Sequence, residues 1–196
     1  MLAQNANRAS GEAVRIALAY RRAGFSVIPI KARGKAPLVR EWQRFSGALP
    51  SEDEIQSWWH QYPGANLGCV CGPAPNLVVL DVDGPDGEAS LQRRDLPDTP
   101  RARTGEGSHY YFTFPLRAPL RNYTKFLPGL DLRATGGQVV APPSRHVNGR
   151  RYLWEVMPVN LALSLADIGI YWTAATAPLA PPPTWLIEVL LHHEAA

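Results

Sequence analysis

The pattern of apolar and polar positions predicts a helix followed by a buried strand near the start of the chain. Residues 10–22 carry a partly periodic apolar stripe behind Ser10, a candidate N-cap. The stripe consists of Val14, Ala17, Leu18 and Tyr20. Gly24 ends this helix, and residues 25–30 form the continuous apolar run of a strand. A loop that contains Lys35 follows the strand.

A second helix and two further strands are predicted next. Ser51 and Glu54 have the spacing of a capping box, which favours a helix over residues 51–60. Residues 66–71 and 77–80 are apolar runs separated by a Gly-Pro-Ala-Pro segment. We therefore expect two adjacent strands joined by a turn.

The second half of the chain is richer in strands. A short helix is predicted over residues 87–94. Strands are predicted over residues 108–114, 130–133, 138–141 and 152–155. Helical patterns cover residues 163–172 and 184–193, with a proline-rich break over 178–183 between them. The mixture places the chain in the α+β class.

The length of 196 residues allows a core to form without disulfides or structural zinc. We predict one domain with two sub-lobes over residues 1–177. Residues 178–196 are predicted to form the boundary to a downstream region, because a proline-rich break is typical of a linker or a docked tail.

Composition narrows the class of protein. The charged fraction of 19% and the net charge of +3 argue against disorder and permit nucleic-acid binding without requiring it. Neither a membrane span nor a signal peptide is recognisable, so we expect a cytoplasmic protein. Cys69 and Cys71 are too few for a zinc site and are interpreted as core thiols on one face of a strand.

The sharpest chemical signal is an apolar strand that ends in Asp81 and Asp83. Their spacing places both carboxylates on one face, where they repel each other unless a cation lies between them. Oxygen ligands of this kind suit Mg²⁺ or Mn²⁺. The alternative is a surface turn at Asp83 and a strand-end cap at Asp81.

A second signal is the segment Thr-Gly-Glu-Gly-Ser-His that leads into an aromatic strand. Gly107 and Ser108 would let backbone amides approach a phosphate, and His109 would donate a hydrogen bond to the same anion. An ordinary turn with a structural histidine remains the alternative.

A third signal follows in the next strands. Asp131 and Arg133 share one face, which adds a third acid and a fixed cation. A surface ion pair would look the same. Ser144 and His146 either contact a triphosphate or sugar or shape a proline turn. Together the three signals supply the inventory of a two-metal phosphoryl-transfer site.

The linked motifs LDVDG, TGEGSHYYF, GLDLRATGGQVVAPPSRH and GRRYLWE resemble those of the archaeo-eukaryotic primase superfamily, specifically its bifunctional primase-polymerase domains. The resemblance covers about residues 20–154. It implies an N-terminal α/β unit packed on an RNA-recognition-like antiparallel or mixed sheet, with the active site in the cleft between them. The implied activity is template-dependent primer synthesis or strand extension in the replication of a plasmid, phage or integrated element.

The same resemblance implies roles for individual residues. The catalytic and metal-binding acids would be Asp81, Asp83 and Asp131. His109 would contact the phosphates of the incoming nucleotide, Arg133, Ser144 and His146 would line its pocket, and Lys35 would assist. Some relatives have Glu where this chain has Asp83. The implied cofactor is Mg²⁺ or Mn²⁺ without structural zinc, and the implied partners are a DNA template, a primer, nucleoside triphosphates and a helicase or helical region downstream.

Two other functions compete with this interpretation. Phosphatases of the haloacid dehalogenase type also have Asp-x-Asp-Gly after a strand, but here Pro85 follows and a later acidic partner is not recognisable. A non-catalytic module for single-stranded nucleic acid would stack bases on its aromatic side chains. The candidates for stacking are Trp58, Trp59, Tyr110 and Tyr111. Three converging acids would repel the strand that such a module binds.

Overall fold

The computed structural model of the chain describes residues 2–115 and 120–194. Its helices are α1 (Leu2–Arg22), α2 (Glu52–Gln61), α3 (Gly84–Leu91), α4 (Val159–Ala166) and α5 (Thr184–Glu194), with a 3-10 helix over Trp42–Ser46. Its strands are β1 (Ser26–Ile30), β2 (Asn66–Val70), β3 (Val78–Asp83), β4 (Arg101–Arg103), β5 (Gly107–Phe112), β6 (Tyr123–Leu127), β7 (Leu130–Arg133), β8 (Gln138–Ala141), β9 (Leu153–Pro158) and β10 (Ala175–Ala177). The predicted α+β class is confirmed.

The strands form two sheets. A three-stranded antiparallel sheet contains β1, β2 and β8, and a seven-stranded sheet has the order β10-β9-β4-β5-β3-β7-β6. The large sheet is mixed, because β10 runs parallel to β9 while the other pairs are antiparallel. β7 and β8 are consecutive strands in different sheets, so residues 134–137 connect the two sheets directly.

Apolar residues cover both faces of the large sheet. One face carries Val79 and Tyr111 and packs in the same core as Tyr20 of α1 and Trp59 of α2. The opposite face carries a second core that includes Leu186 and other residues of α5. Since β3 is buried on both faces, its apolar residues form a continuous run and do not alternate with polar ones.

The two N-terminal helices differ from their predictions to different degrees. The capping box of α2 is present, because the Ser51 hydroxyl accepts from the Glu54 amide and the Glu54 carboxylate accepts from the Ser51 amide. Ser10, by contrast, lies inside α1 and does not cap it, because the helix already begins at Leu2. The preceding segment contains several alanines, the best helix former, so the helix extends past the predicted start.

The prediction that residues 66–71 and 77–80 form adjacent strands is wrong. β2 pairs with β1 and β8 in the small sheet, whereas β3 pairs with β5 and β7 in the large one. The intervening turn contains Gly72 at a φ of 148° and Asn76 at a φ of 49°, and only an isolated bridge between Gly72 and Leu77 joins its ends. The turn therefore transfers the chain from one sheet to the other.

Several other helices and strands differ from their predictions. β4, β6 and β10 were not predicted, because β4 and β10 are only three residues long and β6 is interrupted by a register shift. α3 begins at Gly84, directly after β3, and α4 ends at Ala166. The remaining strands of the second half lie within two residues of their predicted positions, except that β9 ends three residues later than predicted.

The C-terminal segment packs on the large sheet. The Thr113 amide donates to the Ala180 carbonyl at 2.9 Å, and the Ala180 amide donates to the Thr99 hydroxyl at 3.2 Å. Leu186 and Leu190 of α5 are fully buried in the second core. The proposed boundary at residue 178 stays a prediction, and residues 195–196 of that segment lie outside the described residues.

Candidate functional site

Three polar side chains form a row across the middle of the large sheet. Asp81 of β3 lies directly opposite His109 of β5 on one side and Asp131 of β7 on the other. Directly opposed residues of an antiparallel pair project to the same face, with Cβ atoms about 4.5–5.5 Å apart. The register therefore brings together two of the predicted acids and the predicted histidine.

The third predicted acid, Asp83, ends β3 and projects to the same face as Asp81. It precedes α3, but its side chain forms no capping hydrogen bond with that helix. Burial and the negative charges of Asp81 and Asp131 raise the pKa of Asp83, whereas Lys35 acts in the opposite direction. The three carboxylates therefore lie within electrostatic reach of one another.

Asp81 and His109 form a buried pair. The His109 Nε2 atom lies 3.2 Å from Oδ1 of Asp81, and both residues are more than nine-tenths buried. Burial alone would raise the pKa of Asp81, but His109, Lys35 and Arg133 outweigh it and the pKa is lowered. Nδ1 of His109 is buried and has no hydrogen-bond partner within the described residues.

Asp131 is held by two donors. Its Oδ2 atom lies 2.6 Å from Nη2 of Arg133, and its Oδ1 atom accepts from the Lys125 amide at 2.6 Å. Lys125 has a φ of 52° and lies where the β6–β7 register shifts, so this irregularity turns its amide toward Asp131. The pair that the sequence predicted as one acid and one cation is therefore an ion pair beside Asp81.

A cleft of about 320 Å³ opens over Asp81 and His109. Its other wall comes from β8 of the small sheet and from the segments before and within the 3-10 helix. The lining residues are Lys35, Trp42, Asp81, His109, Asn122, Arg133, Gly136, Gly137, Gln138, Val139, Val140 and Tyr152. This volume lies at the lower end of the range for small-molecule sites, and the cleft combines cationic, acidic and aromatic groups.

The donor set suits a divalent cation in kind but does not form a complete ligand shell. Carboxylate oxygens are the ligands that Mg²⁺ and Mn²⁺ prefer. Burial is the largest cause of the raised pKa of Asp83, and repulsion from Asp81, which a cation would relieve, is the second. Asp131, however, is already paired with Arg133. Within residues 2–115 and 120–194, no group of three or more His, Cys, Asp or Glu side chains is arranged to hold a metal ion.

The glycine-rich segment does not offer its amides to a phosphate. The Glu106 and Gly107 amides both donate to the Thr104 hydroxyl, at 3.2 and 2.9 Å. Gly107 is paired with Asp83, and a Cβ at this position would overlap the carbonyl oxygen of Val82. The glycine therefore permits a close approach of two strands, and a phosphate contact by Gly107 stays a prediction.

Ser108 lies on the opposite face of the sheet from His109. It pairs with Val82, whose side chain belongs to the second core, so strand alternation directs Ser108 away from the cleft. Ser108 lines a separate depression together with Arg103 and Arg150. The structure does not bring Ser108 to the row of acids.

Ser144 and His146 lie outside the cleft, and each contacts a segment next to it. The Ser144 hydroxyl accepts from the Leu67 amide at 2.8 Å and so attaches the β8–β9 connection to β2. His146 is buried, with its ring packed on the backbone of Gly105 and 6.0 Å from the Tyr152 ring. Neither predicted residue lines the cleft, so a direct nucleotide contact by either of them stays a prediction.

Sequence reasoning assigned no role to several residues that line the cleft, among them Tyr152, Trp42 and Gln138. Tyr152 belongs to the quoted motif GRRYLWE, yet it received no role there. Gln138 belongs to the quoted motif GLDLRATGGQVVAPPSRH and likewise received no role, whereas Trp42 comes from a part of the chain without a recognised motif. A buried Oε1 atom of Gln138 without a hydrogen-bond partner in the described part of the chain marks it as unusual, but only the structure reveals this.

The cysteines and two of the four candidate stacking residues are buried in the core. Cys69 and Cys71 are free and buried, as predicted, and burial raises the pKa of both thiols. Trp59 and Tyr111 are almost completely buried, so they are not available to stack on bases. Of the four candidates, the observation leaves the partly buried Trp58 and Tyr110 for a binding module that stacks bases.

The comparison with protein families agrees with the site. A family model described as bifunctional DNA primase/polymerase, N-terminal, matches residues 17–185. The chain therefore belongs to this family, which implies a nucleotidyltransferase-type activity with nucleotide and nucleic-acid substrates. No curated protein sequence matches the chain. Within the described residues, no helix has the length and apolar character needed to cross a membrane.

Proposed function

We propose that this domain adds nucleotides to a primer strand, or starts one, on a DNA template. The observation that carries the proposal is the register of β3 between β5 and β7, which places Asp81 between His109 and Asp131 on the floor of a cleft. A cleft lined by Asp81 together with the cations Lys35 and Arg133 suits a triphosphate better than it suits the phosphate backbone alone. The family match supports the same reaction class.

Asp81 and Asp83 are the side chains that we propose hold divalent cations, Mg²⁺ or Mn²⁺. Asp131 would join them after releasing Arg133, which would then be free to pair with a phosphate. Bound cations of this kind lower the pKa of an attacking 3′-hydroxyl and neutralise a leaving pyrophosphate.

The protein side chains supply orientation and charge. His109 fixes the Asp81 carboxylate through the contact at 3.2 Å. Lys35 lowers the pKa of both Asp81 and Asp83, so its ammonium group lies close enough to attract a triphosphate into the cleft. Arg133 offers a planar donor at the wall. Together they position a nucleotide without forming a covalent bond to it.

We also propose the biological setting that the sequence motifs imply. The domain would act in the cytoplasm in replication of a plasmid, phage or integrated element, next to a helicase or helical region. A fold of two sub-lobes with the cleft between them, as in other primases, belongs to the same proposal. The two sheets and the β7–β8 link are consistent with it.

Nucleotide incorporation on primed and unprimed templates tests the proposal. With labelled nucleotides and Mn²⁺ or Mg²⁺, the wild-type protein is expected to extend primers, and Asp81→Asn is expected to reduce the rate by at least about a hundredfold, because it removes the central charge of the site. Asp86→Asn is the matched control, since Asp86 is exposed in the first turn of α3.

The outcome separates the competing functions. Incorporation that disappears with a chelator and with Asp81→Asn supports the proposal, and products on the primed template alone assign extension without initiation. Binding of single-stranded DNA that is equal with and without chelator, together with no incorporation under any condition, would contradict it.

A further inference from the structure

Residues 31–36, which we call the basic turn, follow β1 at the rim of the cleft. The Lys31 amide donates to the Ala36 carbonyl at 2.8 Å, so the two ends of the basic turn meet. Nε2 of Gln138 donates to the Lys35 carbonyl at 2.9 Å and attaches the turn to β8. Both Lys35 and Gln138 line the cleft. The basic turn is therefore fixed next to the site of the proposed reaction.

The basic turn carries three exposed cations and no acid. The cations are Lys31, Arg33 and Lys35. Within the part of the chain that the structure describes, none of their side chains forms an ion pair, whereas the exposed Arg22 is paired with Glu52 at 3.2 Å. Lys35 lines the cleft, but Lys31 and Arg33 do not. The charges of these two residues are therefore available to an anion that extends beyond the cleft.

Arg33 has a backbone conformation that favours glycine. Its φ is 54°, in the left-handed region where a side chain is disfavoured. Residues other than glycine that adopt this conformation are concentrated at sites that bind ligands. Since no ion pair among the described residues accounts for an arginine at this position, a ligand outside the fold is the partner that its charge requires.

A second group of arginines lies in a depression beside β4 and β5, but acids balance them there. The depression is lined by Arg103, Arg150 and Arg151 together with Glu88, Glu106 and Glu155. Equal numbers of opposite charges attract a polyanion less than cations without neighbouring acids do. The basic turn therefore suits a phosphate backbone better than this depression does.

We propose that the basic turn binds the phosphate backbone of the nucleic-acid strand that runs into the cleft, with Lys31 and Arg33 each pairing with a phosphate. The inference rests on the proposed function, because it requires a strand that reaches a nucleotide in the cleft. Lys35 stays with the triphosphate, so the nucleotide and the strand share one cationic side of the cleft. Contacts to phosphates position a strand without reading its bases, so this binding is independent of sequence.

Two variants of the basic turn and one matched control test the proposal. Arg33→Gly removes a cation and suits the left-handed φ, so its unfolding midpoint should be at least that of the wild type. Lys31→Gln removes a second cation. Arg22→Gln is the control, because it removes the same charge from an exposed ion pair, which contributes little to stability. Arg22 precedes β1 whereas the basic turn follows it, and a strand of this length separates them by about 15 Å.

Binding of a labelled oligothymidine is measured by fluorescence anisotropy over a range of salt concentrations. Each phosphate contact to a single strand contributes about 0.7 to the slope of log Kd against log salt concentration. Arg33→Gly and Lys31→Gln should each lower this slope by about 0.7 and weaken binding about fivefold at about 0.1 M salt, whereas Arg22→Gln should keep the wild-type slope. The affinity for a nucleoside triphosphate without DNA should change less than about twofold, since salt screens charges outside the cleft.

The possible results separate the strand site from the proposed function. Wild-type binding of oligothymidine by both turn variants, with primer extension by the wild type, would overturn the strand site and leave the proposed function intact. A loss in Arg22→Gln as large as in the turn variants would also overturn it, because the effect would then follow net charge alone.

Two further results count against the strand site. An equal loss of nucleoside triphosphate binding in the turn variants would assign Lys31 and Arg33 to the nucleotide and not to the strand. Absence of both oligothymidine binding and primer extension in the wild type would contradict the proposed function as well. Thermal unfolding verifies that each variant is folded, and if Arg33→Gly is not, Lys31→Gln alone decides between these outcomes.

Discussion

In the sequence, the acids of β3 indicate a metal site and the glycine-rich segment 104–107 indicates a phosphate site. The structure gives the two regions different roles. In the segment 104–107, the amides of Glu106 and Gly107 are already bonded to the Thr104 hydroxyl. In the row, Asp83 has a raised pKa because of burial and its acidic neighbours. Polar groups that are hydrogen-bonded to one another have a structural role, whereas like charges that are held close together indicate a ligand-binding site.

Among the substitutions that test this comparison, Gly107→Ala is expected to have the largest effect, which is a loss of stability. A Cβ at this position would overlap the backbone of Val82, which cannot move without disturbing the β3–β5 ladder. We expect destabilisation of about 3 kcal/mol or more, as for severe overpacking. Urea unfolding measures the change in the free energy of unfolding.

Gly11→Ala is the control for this substitution. Gly11 lies in α1 and a Cβ there would meet no atom within 4 Å. Alanine in an exposed helix should stabilise the protein by about 0.5–1 kcal/mol relative to glycine. Equal effects of the two substitutions would show that the close approach at Gly107 is not what requires a glycine.

A smaller effect is expected from Thr104→Val, which removes the acceptor of both amides and keeps the shape of the side chain. Two backbone donors lose their partner, so we expect a loss of about 1–3 kcal/mol in the free energy of unfolding. The KM for nucleotide should stay within about twofold of wild type. A large rise in KM with unchanged stability would instead show that this segment binds phosphate.

Asp83→Asn is expected to have the smallest effect, and it should raise the free energy of unfolding where the preceding substitutions at Gly107 and Thr104 lower it. Because the folded-state pKa of Asp83 is raised, its contribution to stability is full below the unfolded pKa and is lost as the pH rises through the folded pKa. Asparagine should therefore stabilise the protein at pH 7, within about 1 kcal/mol, and the gain should vanish below pH of about 3.9, the ordinary value for aspartate. Urea unfolding at several pH values without divalent cations tests the sign.

Asp81→Asn supplies the comparison for that pH series. The pKa of Asp81 is lowered in the folded protein, so ionisation stabilises the fold above the unfolded pKa and this stabilisation is lost as the pH falls through the folded pKa. Substitution at Asp81 should therefore destabilise at pH 7. If both substitutions changed stability in the same direction, the two carboxylates would not have the different environments described above.

The sequence predicted the local features of this fold better than their assembly. The capping box at Ser51 and the acid pair that ends β3 both depend on short-range spacing and are found where expected. The assignment of β2 and β3 to different sheets depends on a turn whose direction is set by tertiary packing, so adjacency in sequence was misleading.

The same division applies to the site. Strand alternation alone placed Asp81 and Asp83 on one face, but the pairing of Asp81 with both His109 and Asp131 requires the sheet register. Tyr152 could not be identified from spacing, because its place beside His109 results from the β8–β9 connection folding back over the cleft. Alternation along β5 puts Ser108 on the opposite face of the sheet from His109.

The connection of β7 to β8 by residues 134–137 limits how the cleft can move. This tether joins the strand of Asp131 and Arg133 to the strand that forms the facing wall, and Gly136 is further attached to the Ser46 hydroxyl at 2.8 Å. The walls cannot separate at this end without breaking the tether. Motion of β8 relative to β7 is therefore confined to small rotations about residues 134–137.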